Sequence, residues 1–418
     1  MRALSDAIDP SEDTGNSTVL KRIQATHDDL ELWWDSPLTE YETWASEYLA
    51  ESANPEERSL RGQIIDEFFD PAADSSKKFL LRGVTTNPSL VSKSVLDHAA
   101  EWRSRISRLM ADNDCTDTDQ LLRLVQREVV ARTARMLLPL WRSSGGRYGW
   151  VSAQTDPRYT LDADAMVEHG VYLADISPNV MVKIPGSMAG YEAMSQLVAQ
   201  GISINNTLSY TVPQFTRLAD IVNNQKRPAG HPWRAVITHM IGRYGASGTL
   251  DEQAKRRGLQ MELDDIRWAE VAIVKHIQNT IQPLSPDVKM LLSSLQVDIN
   301  PDTGRAQCPH IAETCGCSIV YTLKPDVVRS LIDTDYQKID FLGHGMADPI
   351  PTSVHNRLMK LPYFRAAIDP EGLDEKEFHN HPSFVSTYEE ILRNHSRLQD
   401  FVAHAVETAR NGKTQIAV

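Results

Sequence analysis

Lys183 stands in the apolar run Asn179-Val180-Met181-Val182-Lys183-Ile184-Pro185-Gly186. A lysine in such a run must reach water, meet a carboxylate or give up its proton. Desolvation favours the last outcome, and the neutral amine so formed attacks a carbonyl to give a Schiff base. An isolated lysine here reads more simply as a side chain extending from a strand end into solvent, so its neighbours decide. Asp35 closes Leu32-Trp33-Trp34-Asp35-Ser36, where a helix cap or a turn would also use an aspartate. Asn87 lies in Gly83-Val84-Thr85-Thr86-Asn87-Pro88-Ser89-Leu90, and a turn before proline is its simpler role. Gln154 and Thr207 end two further apolar runs, where each side chain could satisfy backbone groups. Each residue taken singly has a structural explanation. Together they place an amine, a carboxylate, two amides and a hydroxyl at the C-terminal ends of successive apolar runs.

The elements that must position them are short and regular. Strands are expected at Leu30–Asp35, Phe79–Thr85, Trp150–Gln154, Val180–Ile184, Ile202–Thr207, Ala235–Met240, Val288–Ser293 and Ser318–Thr322. Segments with helical spacing separate most of them, including Gly190–Gln200, Gln214–Asn223 and Ile266–Ile281. Strand–helix alternation implies a parallel sheet, and eight such units fit a closed barrel. An open doubly wound sheet is the alternative, but no Gly-x-Gly-x-x-Gly turn follows the first strand. The expected fold is therefore α/β, a single (β/α)8 (TIM) barrel. Within Ile202-Ser203-Ile204-Asn205-Asn206-Thr207, the isoleucines share one face while Ser203, Asn205 and Thr207 share the other. Lys183 likewise shares a face with Met181. Branched residues facing the helices and polar ones facing inward near the mouth would explain both patterns. Three regions follow: a polar tail over residues 1–28 with room for some helix before the core, a barrel catalytic domain over 29–332, and a helical C-terminal extension over 333–418 packed on the barrel. The extension has a helical stretch near Tyr388–Thr408.

Whole-chain properties narrow the function. A net charge of −13 argues against non-specific binding to nucleic acid or to an acidic membrane surface. The segment Met1–Gly15 has no apolar core of a secretory signal, and no run is long enough for a membrane helix. Four cysteines in 418 residues do not make a disulfide framework, so a reduced, cytoplasmic protein is expected. Cys308, His310, Cys315 and Cys317 lie close together, but the one-residue Cys-x-Cys spacing suits zinc poorly. The preferred reading has Cys308 and His310 on a loop, with the other two flanking Gly316 at a strand start, and no metal.

Gly-Val-Thr-Thr-Asn-Pro-Ser-Leu at 83–90, Val-Lys-Ile-Pro-Gly at 182–186 with Gly190 following, and Gly-Ile-x-x-Asn-x-Thr-Leu at 201–208 together resemble the transaldolase family, which includes fructose-6-phosphate aldolase-like members. The likeness runs in order from about Leu30 to Leu331. It implies a (β/α)8 barrel with Lys183 forming the Schiff base and Asp35 handling the proton of the aldol hydroxyl. Asn87 would hydrogen-bond the substrate, and Thr207 would orient a water that shuttles protons. The candidate set is then Lys183, Asp35, Gln154 and Thr207 for catalysis, with Asn87, Thr85, Asn205, Thr238, Arg243 and Ser294 for substrate binding. A homodimer is expected by analogy alone.

The departures from the family pattern carry information. Gln154 stands where transaldolases proper usually have Glu, whereas the aldolase-like members have Gln. A carboxylate exchanges protons with water; an amide only hydrogen-bonds to it. The hydroxyl that positions the water in those aldolases is matched by Met240, leaving Tyr210 or Tyr244 as candidate replacements. Arg243 matches the family's phosphate-binding arginine, with a salt bridge after the sixth strand as its plainer role. The second arginine is replaced by Gln296, and loss of one guanidinium costs about 1.5–3 kcal/mol of charge-assisted hydrogen bonding. The expected reaction is transfer of a three-carbon dihydroxyacetone unit from a ketose or ketose phosphate to an aldose acceptor. A reversible aldolase is second, and a non-catalytic binding barrel is the alternative of another class. The altered phosphate pocket leaves room for a specialised sugar-building role in place of central pentose-phosphate metabolism. No metal or organic cofactor is needed, because the protonated imine is itself the electron sink.

Overall fold

The structure, a computed structural model, describes residues 17–70, 79–285, 287–299, 306–333 and 345–416. Eight parallel strands close a barrel in which every strand pairs with its neighbours in sequence and the last pairs with the first. We number them β1 (Glu31–Trp34), β2 (Leu81–Thr85), β3 (Trp150–Gln154), β4 (Val180–Pro185), β5 (Ile204–Ser209), β6 (Ala235–Met240), β7 (Val288–Ser293) and β8 (Val320–Leu323). All eight expected strands are present. The largest displacement is in β5, which starts two residues late and runs on to Ser209. Its register against β6 shifts between Asn206 and Ser209, where Leu208 takes φ +55°. A further two-stranded ribbon, Asp298–Ile299 with Ala306–Gln307, follows β7.

Period-two alternation sets the layers. Trp33, Trp150, Met181, Val236, Leu291 and Val320 form a separate apolar cluster that fills the barrel interior. The alternate residues, among them Val151, Ala153, Val182, Ile184 and Ile204, belong to the outer core shared with the surrounding helices. At the N-terminal end, Glu31 accepts from Arg234 Nη2 at 2.7 Å, Lys289 Nζ at 2.7 Å and Trp33 Nε1 at 2.9 Å. Burial alone would raise the Glu31 pKa, but the two cations pull it down to about 2. Lys289 is itself lowered, chiefly by burial, so Arg234, with two contacts on the carboxylate, is the firmer partner.

Both flanking regions are in part built into the barrel. Within the expected tail, Val19–Gln24 is a helix capped by Thr18, and Val19, Leu20 and Ile23 are buried in the core. Its 3–4 spacing makes the apolar face that seats it on the core. Residues 1–16, including most of that tail, lie outside the described residues. Asp333, set at the start of the extension, instead ends the helix Pro325–Asp333 that follows β8. There it accepts from Arg61 Nη2 at 2.8 Å and Tyr48 Oη at 2.5 Å, which ties it to the barrel. The extension contains the helices Thr352–Leu358, Pro362–Ile368 and Pro382–Ile416. The last begins six residues before the expected stretch. Its Leu398, Val402, Ala405 and Val406 pack with Val91, Trp102, Ile106 and Leu122 of the helices between β2 and β3.

Candidate active site

At the C-terminal end of the barrel, β3, β4 and β5 set Gln154, Lys183 and Asn205 side by side as consecutive register partners. Partners in a parallel ladder point the same way, so the three side chains face inward together, above the apolar interior layer. All three are buried. Burial lowers the Lys183 pKa to about 8, against a smaller upward pull from Asp35. A pKa near 8 leaves roughly a tenth of the amine neutral at pH 7, hundreds of times more than an unperturbed lysine.

Asp35 follows β1 directly, with its N–H continuing the ladder to Leu323 O at 2.9 Å. Thr85, the last residue of β2, donates to Asp35 Oδ1 at 2.6 Å. Thr322 of β8 lies 2.7 Å from the same Thr85 hydroxyl. A hydroxyl has one proton, so Thr322 must donate to Thr85, which orders a chain from Thr322 through Thr85 to the carboxylate. A second chain crosses the interior: Thr238 Oγ1 donates to Asn205 Oδ1 at 2.7 Å, and Asn205 Nδ2 donates to Ser152 Oγ at 2.9 Å. Both chains fix rotamers around Lys183.

The loops after β4 and β5 are held by side chains and by missing ones. Fully buried Gln214 donates to Gly186 O at 3.0 Å and Leu208 O at 3.2 Å, and accepts from Tyr210 N at 2.8 Å. It locks the segment after Lys183 to the segment after Thr207. Thr207 is buried opposite Pro185 in the ladder, and its carbonyl accepts from Gly186 N at 2.6 Å. A Cβ on Gly190 would lie 1.9 Å from Pro185 O, which explains a glycine in the first turn of the helix Met188–Ala199.

The remaining candidates divide. Asn87 caps the helix Pro88–Asp97, its Oδ1 accepting from Leu90 N at 2.9 Å, so the plainer structural role is filled by the carbonyl side of the amide. Ser294, after β7, is buried with φ +58°. Gln296 donates to Ser294 O at 3.1 Å, and Gly242 leaves room for both, since a Cβ there would lie 2.4 Å from that carbonyl. Arg243 is paired: its Nη1 and Nη2 reach the two oxygens of Glu390 at 2.5 Å and 2.8 Å. The salt bridge named as its plainer role is therefore present, with a partner from the C-terminal helix. Neither tyrosine candidate turns its hydroxyl to an open water site. Tyr210 donates to Thr387 Oγ1 at 2.9 Å and lies 3.6 Å from Met240 Sδ, while Tyr244 donates to Tyr363 O at 3.1 Å. Burial raises both phenols.

Sequence reasoning did not single out Ser152, Thr322, Gln214 or Glu390. Ser152 and Thr322 were legible, one being two residues before Gln154 and the other at the end of β8, each on the inward face by alternation. Glu390 carried no such signal. His310 lies on the short helix Pro309–Ala312, not on a loop, and bridges Gln296 N at 3.1 Å and Glu270 Oε2 at 2.8 Å. Cys315 and Cys317 donate to the carbonyls of Ala312 and Thr314, each at 3.5 Å. No group of three or more metal-ligating side chains occurs among the described residues.

The sequence signature of the Transaldolase/Fructose-6-phosphate aldolase family matches residues 67–374, well over half of the chain. The chain belongs to this family. Individual transaldolases align over shorter stretches. That of Mycobacterium tuberculosis is 30% identical over 240 residues, covering 56% of this chain and 62% of its own. That of Mycobacterium ulcerans is 34% identical over 140 residues, 33% of this chain and 37% of its own. That of Mycolicibacterium paratuberculosis is 34% identical over 179 residues, 42% and 47%. The chain thus spans less than two thirds of each relative. Among the described residues, no helix is long and apolar enough to cross a membrane.

Proposed function

We propose that this transaldolase-family barrel transfers a three-carbon dihydroxyacetone unit from a ketose donor to an aldehyde acceptor through an imine on Lys183. The observation that carries the reading is a lysine buried at the catalytic end of the barrel, with its pKa lowered to about 8 and a buried aspartate across the mouth. The neutral amine adds to the ketose carbonyl, and the carbinolamine loses water to form a protonated imine. Asp35 accepts the proton of the hydroxyl beyond the bond that breaks, and the bond's electrons pass into the imine to leave an enamine. The first aldehyde departs, the enamine adds to the second, and Asp35 returns the proton before hydrolysis frees Lys183. The Thr322–Thr85 chain keeps the carboxylate aimed at that hydroxyl. Thr207 and Gln154 supply a hydroxyl and an amide to position the water of dehydration and hydrolysis. Asn205, Thr238 and Asn87 hold hydroxyls of the donor.

Gln154 favours a second reading, an aldolase that releases the three-carbon ketone freely. The aldolase-like members that this chain resembles carry Gln at that position, whereas transaldolases proper usually carry Glu. The reactions separate on product analysis: free dihydroxyacetone without an acceptor marks the aldolase. The test of both is intact mass after borohydride treatment with a panel of ketoses, phosphorylated and not. An adduct of the donor's mass in wild type and none in Lys183→Ala is expected. Well-folded wild type that traps no ketose at all would sink the imine mechanism.

A further inference from the structure

The helix Pro382–Ile416 runs over the end of the barrel that holds Lys183. Tyr388 Oη donates to Pro157 O, after β3, at 2.9 Å. Thr387 accepts from Tyr210, after β5, and Asn394 Nδ2 donates to Ser89 Oγ, after β2, at 3.0 Å. Glu390 lies between these anchors. Its carboxylate takes both arms of the Arg243 guanidinium after β6. This is the fork-to-fork geometry by which arginine also holds a phosphate monoester. Asp35 also acts on Arg243 through space, more weakly than Glu390 does. The Arg243 bonds hold the Glu390 carboxyl below the usual range, with smaller contributions from Lys324 after β8 and Arg393 on the helix. Gln296 supplies an amide directed at Ser294 O, not a second cation.

From this arrangement we infer that Glu390 is a specificity residue: it fills the oxyanion site on Arg243 from within the chain, so the mouth selects a sugar with an uncharged terminus over its phosphate ester. A phosphate dianion entering here must displace a bidentate carboxylate and leave that carboxylate without its partner in a partly buried site. A sugar hydroxyl faces no such cost, because a carboxylate oxygen bonded to one N–H still has a lone pair to accept from it. This inference rests on the proposed imine chemistry only for what the bound sugar then undergoes; the charge selection is independent of it.

Two measurements test it on the full chain. In the first, inorganic phosphate is titrated calorimetrically into wild type, Glu390→Gln and the Glu390→Gln/Arg243→Gln double variant, with circular dichroism as the folding control. The isosteric amide keeps the helix contact but removes the competing charge. Glu390→Gln is expected to bind phosphate at least about ten-fold more tightly than wild type, and the double variant to lose the gain. Equal affinity in wild type and Glu390→Gln overturns the inference. In the second, borohydride trapping compares fructose with fructose 6-phosphate. A preference of wild type for fructose that Glu390→Gln narrows supports charge selection, and a preference for the phosphate ester overturns it. If neither sugar is trapped, the imine mechanism has failed while the phosphate titration still decides the role of Glu390.

Discussion

A lysine buried inside a barrel loses proton affinity whether or not it has a substrate, and that cost is measurable apart from any activity. The folded pKa of Lys183, about 8, lies below the 10.5 of an exposed lysine, with burial the main cause. Between those values the unfolded chain binds the proton and the folded protein does not, so stability rises as pH increases through that window and is lower beneath it. The gap corresponds to up to about 3 kcal/mol. Lys183→Met removes the burden, so the variant should melt above wild type at pH 7 and lose that advantage by pH 10. A variant less stable than wild type at pH 7 would show that Lys183 is structurally supported. The same pKa predicts that imine trapping by wild type speeds up as pH rises through about 8. At this scale the sequence was informative: a lysine in an apolar run must reach water, meet a carboxylate or lose its proton. It could not rank Asn87, whose carbonyl oxygen turned out to cap a helix.

The elements were legible because their periods differ. Eight short β-branched runs separated by helical spacing specify a parallel barrel, and alternation along β4 and β5 assigned Lys183 and Asn205 to the inward face. Strand ends were less sharp, since the end of β5 is decided by the positive φ of Leu208 and by Gln214 bonding from the next helix. Motif glycines acquire a reason only from packing. Gly190 adjoins Pro185 O so closely that Gly190→Ala must move either the helix Met188–Ala199 or the strand carrying Lys183. We expect that substitution to cost on the order of 2–3 kcal/mol in urea unfolding and to reduce imine trapping as well. An unchanged denaturation midpoint would mean that the turn relaxes freely.

For the whole molecule, the barrel is closed at both ends by parts distant in sequence. At the base, Glu31 is held by Arg234 and Lys289 with a pKa near 2, against about 4.5 when unfolded. Such a carboxylate stabilises the fold above pH 4.5, and the contribution, on the order of 3 kcal/mol, is lost as pH falls from there towards 2. Glu31→Gln should lower the melting temperature at pH 7 and flatten its fall across that acid range; an unaltered acid profile would remove this cluster from the stability argument. At the other end, the C-terminal helix contributes Thr387, Tyr388 and Glu390 to the mouth.

The sequence alone determined the barrel, the inward faces of β4 and β5 and the coincidence of Lys183, Asp35, Gln154 and Thr207 at one end, because strand alternation is local and residues two apart must share a face. It also determined that Gln296 brings no second guanidinium. Only the tertiary structure decided what meets Arg243. Glu390 is 147 positions away on a helix that the sequence marks merely as a helical stretch. Where that helix crosses depends on its packing against the helices between β2 and β3, and no periodicity within a single segment encodes a docking of that kind.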